Sequence, residues 1–275
     1  MRSVHFLGLI SLAMLATMVQ AQTSTKKQLS FAVSEGTSGG IDAEAARAKY
    51  QPLADMLGKA INGEVKVVFV REFSALEKGM KDNQFDLVIA RPSDYPARGL
   101  RDYQYKFVAT AKPDGQCMLI VHKDSPLKKV ADLKGKTFIM PERNAYMTRF
   151  CRAELRDQGI VLDQEAVTYV REQGAIPFSI ENRISDVGGV ASYSGAYKQW
   201  LGSGHRVLHQ SNPQPYMPLV ASRDVSGEQI AKMQAVLNGL GSSDSGNQVL
   251  KRVGVSGFIT TEESRLRKLL EWLGV

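Results

Sequence analysis

Arg143 and Asn144 lie in a polar break between an apolar run, Phe138 to Met140, and a helical pattern carrying Met147, Phe150, Cys151 and Leu155. A strand, a loop and a helix in that order leave backbone N–H groups unpaired at a helix N-terminus, where the partial positive charge favours an anion. The chemistry implied is anion binding, and other residues repeat the arrangement. Arg91, Ser93 and Tyr95 follow the apolar run Phe85 to Ala90; Arg71 and Ser74 follow Val65 to Val70. Ser34, Thr37 and Ser38 follow Leu29 to Val33, in a loop whose glycines allow close backbone approach to a ligand. Tyr146 and Thr148 complete the junction after Arg143, and Ser192 and Tyr193 follow Ile184 to Val190. These residues are the candidate ligand contacts.

Each also has a plainer reading. Arg143 fits a surface arginine, and Arg91 fits an ion pair with Asp94 or Glu72. Ser74, four-residue partner of Glu77 in a capping-box pattern, fits a helix cap. The tyrosines fit packing.

Enzyme chemistry finds no matching pattern. Gly135-Lys136-Thr137 ends like a P-loop, but the glycine required five residues before Gly135 is Val130, and a strand follows where a helix should open. No Gly-x-Ser-x-Gly elbow or Cys/His nucleophile arrangement is present. His205 and His209, four residues apart on a strand, would stand about 13 Å apart, too far to share a metal. Neither metal nor cofactor is expected.

The elements that must position the candidate residues alternate. Apolar strand patterns at 29–33, 65–70 and 85–90 are separated by helical ones, including Tyr50, Leu53, Leu57 and Ile61 on one face. Further strands are expected at 107–111, 117–122, 138–140, 167–170, 184–190, 206–209 and 217–221, with Lys112 to Gly115 as a turn. Capping boxes are expected at Ser226 to Gln229 and at Thr260 to Glu263, the second opening the terminal helix with Leu266, Leu269, Leu270 and Leu273. Alternation of this kind implies an α/β protein with a largely parallel sheet, whose ligands collect outside the carboxyl ends of the strands.

The first 21 residues have a basic start, an apolar run from Val4 to Val19 and small residues before Gln22, which describes a cleavable export signal. The formal net charge is +7, and removal of Arg2 with that segment leaves +6. Basic residues are scattered rather than clustered with aromatics, which argues against a nucleic-acid groove. Cys117 and Cys151 are too few for a disulfide framework; they could pair in an oxidising compartment, but two buried free thiols are the favoured reading.

Tyr50-Gln51-Pro52-Leu53-Ala54-Asp55-Met56-Leu57, the segment Val67 to Met80, and Gln84-Phe85-Asp86-Leu87-Val88-Ile89-Ala90 together resemble the phosphate/phosphite/phosphonate-binding proteins of bacterial ABC transporters. Val121-His122-Lys123-Asp124-Ser125-Pro126 and Ala131-Asp132-Leu133-Lys134-Gly135-Lys136 agree, and the resemblance spans residues 29–240. It implies a two-lobed periplasmic-binding-protein fold of type II with two crossover strands. Residues 22–116 would form the first part of lobe 1, 117–216 lobe 2 with the outgoing crossover, and 217–275 the return to lobe 1. The lobes would close like a hinged clamp. The implied role is capture of a small oxyanion, as a monomer, for a permease at the inner membrane; the alternative is a ligand sensor for a membrane kinase, or a binder of a carboxylate or sulfonate.

One departure bears on the ligand. Phosphonate binders typically carry small hydroxyl residues where this chain has Arg143-Asn144-Ala145-Tyr146-Met147-Thr148, and binders of aminoalkylphosphonates place an acid near Tyr193, where residues 191–195 have none. Arg91 and Arg143 instead suit a dianion or carboxylate.

Overall fold

The computed structural model describes residues 28–36 and 41–275, so the expected export signal and the candidates Thr37 and Ser38 lie outside the described residues. The chain begins with β1 (Gln28–Ser34), α1 (Ala43–Ala60), β2 (Glu64–Phe69), α2 (Phe73–Lys81), β3 (Leu87–Ala90), α3 (Asp94–Asp102) and β4 (Lys106–Gly115). It continues through β5 (Cys117–Val121), β6 (Thr137–Pro141), α4 (Tyr146–Asp157), β7 (Ala166–Val170), α5 (Ala175–Glu181), β8 (Val187–Ala191), α6 (Gly195–Gly202) and β9 (Arg206–Gln210). It then returns as β10 (Gln214–Ala221), α7 (Gly227–Gly239), α8 (Asp244–Val253), β11 (Gly257–Ile259) and α9 (Glu263–Leu273).

Two sheets result. The first has the order β11-β4-β10-β3-β1-β2 and the second β7-β6-β8-β5-β9. In both, the strands followed by helices pair in parallel: β1 with β2 and β3, and β6 with β7 and β8. The strands that enter or leave a sheet pair antiparallel, as β10 does with β3 and β4, and β5 with β8 and β9. Parallel pairing aligns strand ends, so loops following β1, β3, β6, β7 and β8 converge between the sheets.

The chain crosses between sheets twice. Gln116 is the one residue between β4 and β5, and residues 211–213 separate β9 from β10. Side chains tie the crossings together: Gln116 N donates to Ser192 Oγ at 3.1 Å and Cys117 N to Ser211 Oγ at 2.9 Å. Lys112 to Gly115 is not a turn but the end of β4, because Gly257 pairs with Lys112 and Gln214 with Gly115, which carry the segment to the crossing.

Each helix buries an apolar stripe on its sheet. α1 turns Ala46, Tyr50, Leu53, Ala54 and Leu57 inward, and burying each leucine contributes about 1.5–3 kcal/mol. The capping box at Ser226 and Gln229 forms as expected. The other two do not: α2 starts one residue before Ser74 with Glu72 at its N-cap, and α9 starts after Glu262 while Thr260 Oγ1 bonds Asn238. The last helix also spans both sheets' layers, since Trp272 of α9 meets Phe150 of α4 edge-on at 5.1 Å and donates from Nε1 to Asp157.

The cysteines are not free thiols. Cys117 and Cys151 form a disulfide with Cα atoms 5.3 Å apart. Both are fully buried, and α4 lies directly against β5, which brings the two thiols face to face.

Candidate functional site

The converging loops enclose a cavity of about 40 Å³ between the two sheets. At roughly 10–15 Å³ for each water-sized group, it holds a ligand of only a few heavy atoms. The first sheet's side contributes Glu35, Gly36, Phe73, Arg91 and Pro92; the second contributes Pro141, Glu142, Ala145, Tyr146, Met147, Arg171, Gln173, Ala191 and Tyr193.

Arg91 is the best-placed cation. It follows β3, and its backbone N–H is tied to Ser34 O at 2.9 Å, extending the β1–β3 pairing by one rung. Its Nε stands 2.9 Å from Glu35 Oε2, yet the N–H is not aimed at that oxygen, so the contact is an ion pair rather than a hydrogen bond. Burial opposes the charge of this guanidinium, but Tyr216 and Glu35 beside it raise its pKa above the ordinary arginine value. No described residue hydrogen-bonds the two Nη groups.

Glu35 is only 3 % exposed and is the centre of a polar cluster. Its Oε1 accepts from Lys49 Nζ at 2.6 Å and Tyr50 Oη at 2.5 Å, both from α1. Burial lowers the Lys49 pKa against the opposing pull of Glu35, and burial followed by the charge of Glu35 raises that of Tyr50. Gly36 turns the chain away immediately afterwards with φ of 74°, a conformation glycine adopts without strain.

Asp94 and Arg149 join the two halves. Asp94, in the first turn of α3, is completely buried, and its Oδ2 lies 2.5 Å from Arg149 Nη1 of α4 and 3.9 Å from Arg98. Burial raises the Asp94 pKa, with Arg149 and Arg98 pulling it back. Tyr146 is buried near this pair, and burial raises its pKa far above the ordinary phenol value.

The N-terminus of α4 opens on the cavity through Ala145, Tyr146 and Met147, and the methyl group of the N-cap residue Ala145 makes no capping hydrogen bond. Its first N–H groups are therefore available to an anion. Arg171 stands opposite the first sheet at the end of β7, exposed, with no carboxylate in ion-pair range among the described residues.

The expected contacts divide. Arg91, Tyr146 and Tyr193 line the cavity. Tyr193 stacks on Tyr216 with centroids 4.2 Å apart, and Tyr95 stacks behind Phe73 at 5.4 Å. Ser34 is buried at the end of β1 with no partner for its Oγ among the described residues, and Ser93 is the buried N-cap residue of α3. Thr148 Oγ1 donates to Pro141 O at 2.9 Å, and Ser192 Oγ receives the crossing residue Gln116; both hydroxyls are engaged in the scaffold. Arg71 and Ser74 are exposed outside the cavity. Arg143 and Asn144 line an outer groove with Glu72, and Arg143, 65 % exposed, pairs with Asp163 at 3.2 Å.

Glu35, Phe73, Arg149, Arg171 and Gln173 are absent from the sequence-based expectations. A signal existed for Glu35 and Arg171, each at the polar end of an expected strand. None existed for Arg149, which is one basic residue among several on a helix. Among the described residues no group of three or more His, Cys, Asp or Glu is arranged to hold a metal, and His209 is occupied by Glu154 at 2.8 Å.

Comparison with known proteins gives one family match and many structural ones. Residues 40–266 match the family described as ABC transporter, phosphonate, periplasmic substrate-binding protein. No curated protein sequence matches the chain. Among solved structures, XAC2383 from Xanthomonas citri bound to ATP aligns with TM-score 0.72 at 14% identity, over 90% of this chain and 97% of that one. PhnD1 from Prochlorococcus marinus in complex with methylphosphonate aligns at 0.67 and 16% identity, over 90% and 97%. The periplasmic aliphatic sulphonate binding protein SsuA from Escherichia coli aligns at 0.58 and 18%, over 90% and 79%. The fold is that of the two-lobed, type II periplasmic binding proteins.

Proposed function

Because this chain belongs to the periplasmic substrate-binding proteins of phosphonate ABC transporters, a family of ligand carriers rather than enzymes, we propose that it captures a small phosphorus oxyanion in the cavity between its two sheets. It acts as a monomer, exported by its N-terminal segment, and delivers the ligand to the permease of its transporter. The observation carrying this reading is Arg91, held by Glu35 on one wall, facing the uncapped N-terminus of α4 on the other. A tetrahedral anion between them accepts from both Nη groups of Arg91 and from the helix N–H groups. Arg171 adds long-range attraction at the entrance. The cavity volume favours ligands such as phosphite, phosphate or methylphosphonate over larger organophosphonates.

A thermal-shift screen of phosphite, phosphate, alkylphosphonates, sulfonates and carboxylates tests the proposal. A ligand that binds only the folded state at 100 times its Kd adds about 2.7 kcal/mol of stability. A concentration-dependent rise with at least one phosphorus oxyanion is expected, and no rise with any of them refutes the reading.

A further inference from the structure

The leucine stripe of α9 joins one apolar cluster that draws on both halves of the molecule, including Leu100 of α3, Val220 of β10 and Phe150 and Leu155 of α4. Polar bonds fix the helix to the first half. Arg267 Nη1 donates to Leu100 O at 3.1 Å, and Arg101 Nη1 of α3 donates to Val275 O at 2.9 Å.

Arg265 and Trp272 are nearly two full turns apart, so they leave α9 on the same side, about 10 Å from each other along its axis. Arg265 reaches the crossings: its Nη2 donates to Asp114 Oδ2 at 2.7 Å, near the end of β4, and to Pro213 O at 3.2 Å, immediately before β10. Trp272 reaches the second half, where it meets Phe150 edge-on at 5.1 Å and donates from Nε1 to Asp157 Oδ2 at 2.7 Å. Asp157 ends α4, the helix whose other end faces the cavity. That helix is therefore tied to the first half at Arg149, by Asp94 of α3, and at Asp157, by Trp272 of α9.

We propose, building on the oxyanion-binding reading above, that Trp272 is a positioning residue that latches the two halves in the ligand-holding arrangement. It acts at a distance from the ligand, since Tyr146 and Asp157 stand at opposite ends of α4, about 16 Å apart. Opening about the crossings moves α4 relative to α9, because α9 is bound both to the first half and to the crossing strands. The motion uncovers the Phe150 ring, fully buried here, and gives up a hydrogen bond to a carboxylate. Closure restores both contacts, so they favour the closed state whichever anion lies in the cavity. Apparent affinity scales with the population of the binding-competent state. Ligand enters before closure and leaves only after reopening, so the latch acts on dissociation.

Titration calorimetry with methylphosphonate, together with its dissociation rate from phosphorus NMR exchange, is the test. Trp272→Ala should raise Kd about tenfold through an equal rise in dissociation rate, with association within about twofold of wild type. Trp272→Phe keeps a ring against Phe150 but loses the N–H, and should cost about threefold. Met233→Ala, which opens a cavity under α7 in the separate apolar cluster of the first half, should lower the urea midpoint and leave the dissociation rate unchanged. If Trp272→Ala does not fold, Trp272→Phe decides by the same criterion. An unchanged dissociation rate in the Trp272 variants, or an equal rise in Met233→Ala, overturns the latch while leaving oxyanion capture intact. Absence of wild-type binding to every phosphorus oxyanion overturns both.

Discussion

Asp94 and Arg149 form a buried ion pair, 2.5 Å apart, between α3 beside the first sheet and α4 beside the second. Few direct polar bonds join the walls of the cavity, and this one is out of contact with solvent on the acid's side. Removing one partner of such a pair strands the other's charge, at a cost of about 3–5 kcal/mol, whereas replacing both is far milder. Arg149→Met should therefore lower folding stability by about that amount, and Asp94→Asn with Arg149→Met should recover part of it. Urea denaturation of the two variants checks the order.

The disulfide supports the same wall. Cys117 begins β5 directly after the first crossing, and Cys151 lies on the helix that carries Tyr146 and Arg149. Closing a loop with a sequence separation of 34 residues restricts the unfolded chain, and the loop-entropy relation gives about 3–4 kcal/mol. Cys117→Ser with Cys151→Ser should lose stability of that order, and wild-type protein should lose a similar amount under reductant. Denaturant midpoints with and without reductant measure both.

The alternating strands and helices were legible because hydrophobic periodicity is local, and the polar ends of β1, β3 and β6 could be read for the same reason. Long-range pairing was not. Arg143 has the type and the helix-start position of an anion ligand, but Asp163, twenty residues on, draws it outward. Glu35 stands at the polar end of an expected strand, but its partners Lys49, Tyr50 and Arg91 come from other elements and have no local signature. The Lys112 to Gly115 segment has turn composition, yet pairing with two distant strands keeps it extended. The repeat of the strand-and-helix pattern after residue 117 already implied a second lobe, and resemblance to the family added transport and the ligand class.

Arg91 and Arg143 give opposite predictions. Arg91→Ala should weaken a phosphorus oxyanion by about 1.5–3 kcal/mol, the range of a hydrogen bond to a charged group. Arg143→Ala should change it by less than about 0.5 kcal/mol, since an exposed, paired charge contributes little. Titration calorimetry of both variants with methylphosphonate separates them; equal losses would move the ligand into the outer groove beside Asn144.

Alkaline pH should be unusually damaging. Burial raises the phenol pKa values of Tyr50, Tyr105, Tyr146, Tyr193 and Tyr216, the last to about 12 from an ordinary 10.0. The sign follows from proton binding: between these values the unfolded chain has released the proton and the folded chain still holds it. The stabilisation is therefore intact below pH 10 and is lost as pH rises toward the folded-state value. Tyr216 alone accounts for about 2 kcal/mol at pH 12. Its ring stacks on Tyr193, so Tyr216→Phe preserves the packing while removing the titrating group. Unfolding free energies from pH 8 to 12 should fall steeply above pH 10 in the wild type and less steeply in Tyr216→Phe. Parallel curves would mean that the Tyr216 phenol ionises as readily in the folded protein as in the unfolded one.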